Sequence, residues 1–377
     1  MKYREKRKVV KKMAGSIYGK IFQISTWGES HGKGIGVVID GCPAGLMLSE
    51  EDIQTYLDRR KPGQSKFTTM RKESDEAEIL SGVFEGRTTG TPISILIRNQ
   101  DQRSRDYGNI MNTYRPGHAD FTFDQKYGFR DYRGGGRSSG RETAGRVAAG
   151  AVAAKILKEL GINILTYTKA IGPVSVPDKE YDFAQINENQ LYMPNADYAR
   201  QASDYLETCI KNQDSSGGII ECIVTGLPAG LGDTVFDKLD ANLAKVMLSI
   251  GAVKGFEIGD GFAAATAKGS ENNDSFCTEN GKINKRTNHA GGTLGGMSDA
   301  SPLIFRVAVK PTPSISQSQE TVDKDGNPVS LTITGRHDPV IVPRAVVVVE
   351  SMAAITLVDL LFTNMSAKME SLKKFYL

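Results

Sequence analysis

Four histidines, His31, His118, His289 and His337, carry most of the proton-transfer capacity of this chain near neutral pH. All four lie in glycine- or arginine-rich stretches that read as loops, and none falls on an apolar helical face. His31 sits in Gly28-Glu29-Ser30-His31-Gly32, which lacks the G-x-S-x-G spacing of a nucleophile elbow and so excludes that serine-hydrolase arrangement. His118 sits in Tyr114-Arg115-Pro116-Gly117-His118-Ala119-Asp120, and Asp338 in Gly335-Arg336-His337-Asp338-Pro339. The last two stretches set a guanidinium beside a proton-transfer group, which suits acid–base chemistry on a highly anionic substrate. Arg60, Arg115, Arg133, Arg137, Arg141, Arg146, Arg336 and Arg344 are candidates for bidentate anion contacts. Buried together they would repel one another, so the expectation is a site that receives several phosphates or carboxylates.

The stretch that must position many of these groups runs from Tyr132 to Arg146. It holds four arginines, five glycines and the pair Ser138-Ser139, then passes directly into the small apolar residues from Val147 to Lys155. Glycines ahead of a helix let backbone N–H groups approach an anion, and the helix N-terminus adds partial positive charge. Ser138 and Ser139 stand where an N-cap belongs, and Gly161 where a C-terminal cap belongs. The small residues predict a helix packed inside the molecule, with its arginines lining a cavity.

Strands are predicted at Ile21 to Ser25, Gly34 to Ile39, Glu78 to Phe84, Ile93 to Arg98, Ile219 to Val224, Ile304 to Lys310 and Val329 to Thr334. A helix opens at Ser49 behind Glu50, Glu51 and Asp52 and stops at Pro62-Gly63. Another is expected from Asp233 to about Leu248, and a long one from about Val346 toward the chain end. Cys277 to Lys285 reads as an exposed loop. Strand, G-x-P-A-G-L, helix occurs twice, at Gly41 to Leu46 and Gly226 to Leu231, which suggests an internal duplication with the site between two related halves. Strands in groups and helices in blocks point to an α+β fold, and no GxGxxG follows a strand in the Rossmann manner.

Net charge is only +3, so composition demands no nucleic acid. Cys42, Cys209, Cys222 and Cys277 are scattered without metal-ligand spacing, which predicts no metal site and free thiols in a reducing compartment, the cytoplasm. No membrane span is expected, because Glu350, Ser351 and Asp359 interrupt the apolar stretch Val346 to Phe362. Residues 1–13 are basic and predict a disordered extension, with 14–377 as one catalytic domain.

The chain resembles the chorismate synthases. The resemblance rests on Gly28-Glu29-Ser30-His31-Gly32, Asp58-Arg59-Arg60-Lys61-Pro62-Gly63, Arg115-Pro116-Gly117-His118-Ala119-Asp120 and Asp131 to Ser139. It extends through Ala252-Val253-Lys254-Gly255, Asn288-His289-Ala290-Gly291-Gly292, Lys310-Pro311-Thr312 and Arg336-His337-Asp338-Pro339, all in family order. It implies anti-1,4-elimination of phosphate from 5-enolpyruvylshikimate 3-phosphate to give chorismate, requiring reduced FMN without net redox change. It also implies a homotetramer and a layered β-α-β sandwich, with helices between antiparallel sheets.

Carried over by position, His31 resembles the histidine that protonates the departing phosphate, and His118 the one that protonates reduced flavin. Asp338 resembles the carboxylate that helps remove the C6 proton. FMN contacts are implied at Arg137, Ser138, Ser139, Gly251, Ala252, Gly295, Lys310, Pro311, Thr312, Pro313, Ser314 and Arg336. Arg60 and Lys66 match positions assigned to NADPH in the family, yet suit substrate anions or a closing loop equally well. Arg60, Arg115, Arg133 and Arg141 are the expected substrate contacts. Gly140 stands where alanine is common in the family and Gly251 where proline or asparagine is usual, so flavin geometry can differ locally. No stretch is left for a reductase domain, so reduced FMN is expected from an external flavin reductase, with NADPH as the candidate reductant.

Two other readings compete. Arg133-Gly134-Gly135-Gly136-Arg137 with the basic arm could contact RNA, but the run is not repeated, aromatic residues are sparse around it and an alanine-rich helix follows. A flavoprotein oxidoreductase shares the same residue types and differs in consuming reductant one for one.

Overall fold

The computed structural model describes residues 15–69, 73–100, 110–279, 281–333 and 337–377. The extension expected at 1–13, and Arg336, lie outside them. Two five-stranded antiparallel sheets form the frame. The first runs in the order Ile17–Tyr18, Gln23–Gly28, Gly34–Asp40, Ile93–Arg98, Ala77–Ser81. The second runs Val253–Ile258, Leu303–Val309, Gly218–Thr225, Asn163–Ile171, Val174–Ser175. Among the described residues eight helices accompany them: α1 Glu50–Arg60, α2 Asp120–Tyr127, α3 Thr143–Glu159, α4 Ala196–Lys211, α5 Leu239–Leu248, the single turn α6 Gly269–Asn272, α7 Val342–Asn364 and α8 Met369–Tyr376.

Alternation explains the first sheet: Ile93, Ile95 and Ile97 are fully buried, with Ser94 and Leu96 less so on the other face. Against this sheet lies α3, which also packs on α1 and α7. The alanine-rich sequence of α3 allows that crowding. At Gly150 a β-carbon would collide with Cα, Cβ and Oγ of Ser351, so only glycine lets α3 and α7 approach this closely.

In turn α7 packs on Asn163–Ile171 and Gly218–Thr225 of the second sheet. It is long and apolar enough to cross a membrane, yet 83% of its apolar window is buried within the protein. Its buried polar side chains are engaged. Glu350 accepts both terminal nitrogens of Arg59 at 3.0 and 2.6 Å, and Asp359 Oδ1 accepts the backbone N–H groups of Lys20, Ile21 and Phe22 at 2.9, 2.7 and 3.0 Å. Ser351 and Thr356 bond back to the carbonyls of Val347 and Met352.

Several sequence expectations are corrected. The strands Asn163–Ile171 and Val253–Ile258 were not expected. The second is an edge strand whose register shifts between Val253 and Gly255, which hides its alternation. The downstream helix starts at Leu239 instead of Asp233, because Val235 takes a φ of +61° that no helix tolerates. The expected loop at Cys277 to Lys285 contains a hairpin, Phe276–Glu279 with Lys282–Lys285. The C-terminal helix is two helices, α7 and α8. Replacing Gly150 with Val forces α3 from α7 and is expected to lower stability by about 1–3 kcal/mol, read as a fall in Tm or denaturant midpoint.

Candidate active site

A cavity of about 1630 Å³ collects residues from both sheets, α3, α7 and the loops between them. Single small-molecule pockets are usually about 300–1,000 Å³, so this one has room for two ligands side by side.

His31 reaches it from the loop between the strands Gln23–Gly28 and Gly34–Asp40. The loop is closed by Gly32 N–H donating to Glu29 O at 3.0 Å and is held by Asn99, whose Nδ2 donates to Glu29 O and Gly32 O at 2.9 and 2.8 Å. Ser30 Oγ donates to Gly134 O at 3.1 Å and lies 3.1 Å from His31 Nδ1. With the hydroxyl proton directed at Gly134, the ring proton of neutral His31 belongs on Nδ1, which makes Nε2 the acceptor. Gly134 has a φ of +62°, and a β-carbon there would overlap the imidazole, so a glycine is needed to seat His31.

His118 sits in a turn closed by its own N–H on Arg115 O at 3.3 Å, with Nε2 2.8 Å from Ser314 Oγ. Burial, then the positive charge of Arg115, pushes its pKa down to about 3. His118 is therefore neutral in the free protein; an anion placed beside it would raise its proton affinity. Arg115 is itself committed, since Nε and Nη2 each reach Asp120 at 2.8 Å. Asp338 lines the same cavity. Its Oδ1 accepts Thr69 N–H at 2.7 Å, and its Oδ2 accepts Arg344 Nη1 at 2.7 Å.

The arginine run divides. Arg137 lines the cavity and donates to Gly28 O at 3.1 Å and Thr26 Oγ1 at 2.7 Å, with no carboxylate partner among the described residues. Arg141 also lines it but pairs with Asp75, which it shares with Arg60. Arg133 turns outward onto Asp131 at 2.8 Å and does not line the cavity. Arg146 pairs with Glu142 at 2.9 Å. The expectation that so many guanidiniums require outside anions is therefore corrected: carboxylates of the chain itself balance most of them.

Ser138, Ser139, Gly251, Ala252, Lys310, Thr312, Pro313 and Ser314 line the cavity. Ser139 caps the turn Gly140–Glu142 by accepting Arg141 N–H at 3.3 Å. Ala252 holds a φ of +72°, rare for a residue with a β-carbon, while its carbonyl accepts Lys310 N–H at 2.9 Å. Gly295 lies in the hairpin Thr293–Leu294 with Met297–Ser298, away from the cavity lining, and Pro311 is also absent from that lining. Lys66 is exposed and pairs with Glu207 instead. Arg60 is 2% exposed and does line the cavity, so the two positions linked to NADPH sit in quite different surroundings.

The lining suits a flavin phosphate and polar ring edge. Lys254 and Lys310 both face the cavity, and Lys310 has its pKa lowered by burial and then by Lys254, a pair of cations that an anion would relieve. Thr312 Oγ1 and His337 Nε2 are buried polar atoms without a hydrogen-bond partner among the described residues, on residues that line the cavity. Sequence reasoning gave no role to Glu73, Asp75, Asn99, Thr69 or His337. A charge count was the available signal, since an arginine-rich wall needs nearby carboxylates.

Comparison with known proteins places the chain in one family. The sequence model of a family described as chorismate synthase matches residues 22–362. A chorismate synthase of Agathobacter rectalis is 65% identical over 364 residues, covering 97% of this chain and 99% of that protein. One from Lachnoclostridium phytofermentans is 64% identical, with 97% and 100% covered. A solved crystal structure of a chorismate synthase superposes with a TM-score of 0.74 at 34% identity, covering 95% of this chain and 96% of that one.

A pH prediction follows from His118. Below its ordinary pKa of 6.5 the unfolded chain takes up a proton that the folded chain refuses, so this residue lowers stability as pH falls from there toward about 3. His118→Asn is expected to flatten that acid limb of the stability–pH curve. Imidazole ¹⁵N shifts of the free protein should show this ring neutral through the range in which an ordinary histidine titrates.

Proposed function

Because the chain belongs to the chorismate synthase family, we propose that the large cavity is its active site, with His31, His118 and Asp338 handling protons. The reaction is the anti-1,4-elimination of phosphate from 5-enolpyruvylshikimate 3-phosphate to give chorismate, a carbon–oxygen lyase step of the shikimate pathway toward the aromatic amino acids. The family is flavin-dependent. The observation that carries the assignment of residues is that both histidines and the carboxylate line one cavity with Arg60, Arg137, Arg141 and Lys310.

In this reading the substrate's phosphate and carboxylates are held by Arg60, Arg115 and Arg141, whereas Arg133, turned onto Asp131 outside the lining, takes no part. Arg137, Ser138, Ser139, Ala252, Lys310 and Thr312 would hold FMN. When bound in reduced form, FMN supplies electron density to the allylic system from which phosphate leaves. His31 is charged by the incoming phosphate and gives a proton from Nε2 to the leaving group. His118, neutral when the cavity is free of anions, would take a proton from solvent once a reduced, anionic flavin lay beside it and would be its proton donor. Asp338, oriented by Arg344 and Thr69, accepts the proton removed from substrate carbon. The partial burial of these groups strengthens each interaction by limiting water.

The finer architecture is also our reading. The contacts of α3 with the first sheet and α7 with the second support a β-α-β sandwich. The two G-x-P-A-G-L turns support duplication. Each follows the central strand of its sheet, and Gly41 and Gly45 have φ of +76° and +91° against +86° and +91° at Gly226 and Gly230. Residues 14–377 act as one catalytic unit. Large exposed apolar side chains, such as Phe262 and Ile283, support a homotetramer. Four free cysteines support a cytoplasmic location. FMN is reduced outside this chain by a separate flavin reductase, with NADPH as the reductant.

Anaerobic phosphate release tests the reading directly. Many phosphates per reduced FMN are expected, and none without it; one reductant consumed per phosphate would favour an oxidoreductase. Arg137→Ala is expected to weaken binding of flavin or substrate by about 1.5–3 kcal/mol in titration calorimetry, as for a charge-assisted hydrogen bond. His118→Ala should slow turnover far more than it weakens FMN binding, and unchanged turnover would reject its proton-transfer role.

A further inference from the structure

Arg60 and Arg141 approach the cavity from separate parts of the chain, and one side chain stands behind both. Asp75 has no exposed surface and a φ of +50°. Its Oδ2 accepts Nε and Nη2 of Arg60 at 3.0 and 2.6 Å, while its Oδ1 accepts Nη1 of Arg141. The other donors of both guanidiniums are largely fixed as well. Arg60 Nη1 reaches Gly140 O and Thr143 Oγ1, each at 3.3 Å, and Arg141 Nε reaches Asn99 Oδ1 at 2.9 Å.

The bonds continue in both directions from this centre. On one side Asn99 holds the backbone of the His31 loop at Glu29 and Gly32. On the other, Arg60 O accepts Arg344 Nε at 2.9 Å, and Arg344 Nη1 holds Asp338 at 2.7 Å. Glu73 also lies 3.8 Å from Arg141, so a second carboxylate stands beside the pair of guanidiniums. Such a wall has little net charge, and its hold on an anion depends on where the remaining N–H groups point.

We propose that Asp75 is a positioning residue for the elimination: it aims Arg60 and Arg141 at the anionic groups of the substrate and, through Asn99 and Arg344, ties the His31 loop and Asp338 to the same frame. Without it two like charges share one buried corner and rotate apart. This inference rests on the reading that Arg60 and Arg141 contact substrate.

The test measures kcat/KM for 5-enolpyruvylshikimate 3-phosphate per flavin-binding site, with FMN affinity as the control. Asp75→Asn is expected to lower it at least about tenfold while leaving FMN affinity unchanged, and to add less than about twofold in an Arg141→Ala background, because the two residues act as one unit. Full effects in both backgrounds, as a general loss of folding quality gives, overturn the proposal. If Arg141→Ala alone changes nothing, the substrate-site reading fails; if it impairs turnover and Asp75→Asn does not, only this inference fails. Should Asp75→Asn not fold, the half-buried Asn99→Ala decides: a several-fold drop at unchanged FMN affinity supports the frame, and no drop overturns it.

Discussion

The two guanidiniums of Arg60 and Arg141 share one buried carboxylate, and the shape of the cavity wall follows from that sharing. An unpaired guanidinium cannot be kept in a protein interior at tolerable cost, whereas one held by a carboxylate and several carbonyls can. Asp75 lets the end of α1 and the turn ahead of α3 converge on a single point. Arg115 with Asp120 and Arg344 with Asp338 repeat the solution around the same cavity, and Arg59 with Glu350 repeats it outside the lining. A network of this kind fixes directions more than it supplies attraction.

Other residues of the lining are built in differently. Arg137, Lys254 and Lys310 have no carboxylate partner among the described residues. Arg60 and Arg141 thus have their charge already balanced within the chain, whereas Arg137, Lys254 and Lys310 do not. A cavity divided in this way suits two anionic ligands that must lie in fixed relation, one of them a flavin phosphate.

Beneath the site, close helix packing provides the rigidity. The approach of α3 to α7 at Gly150 and Ser351 leaves no space for motion between them, and each helix rests on its own sheet. The arginine run precedes α3, and the Asp338 loop precedes α7, so groups from distant parts of the sequence are carried by adjoining helices. Asp359 adds a further tie, fastening the chain at Lys20 to Phe22 onto α7.

Local chemistry made much of this legible in advance. The glycines and serines before α3, its small residues, the acidic first turn of α1 and the alternating isoleucines of Ile93–Arg98 each encode a conformation within a few residues. The family motifs likewise identified the reaction. Gly255 and a register shift concealed an edge strand, and Val235 delayed α5, because those conformations are set by neighbouring strands and turns rather than by propensity. The sequence determined that this protein gathers histidines, a carboxylate and many arginines for chemistry on anions. Only the tertiary structure decided which arginines face a ligand and which face Asp75, Asp120 or Asp131, because charge pairing depends on distances between residues that the chain itself keeps far apart.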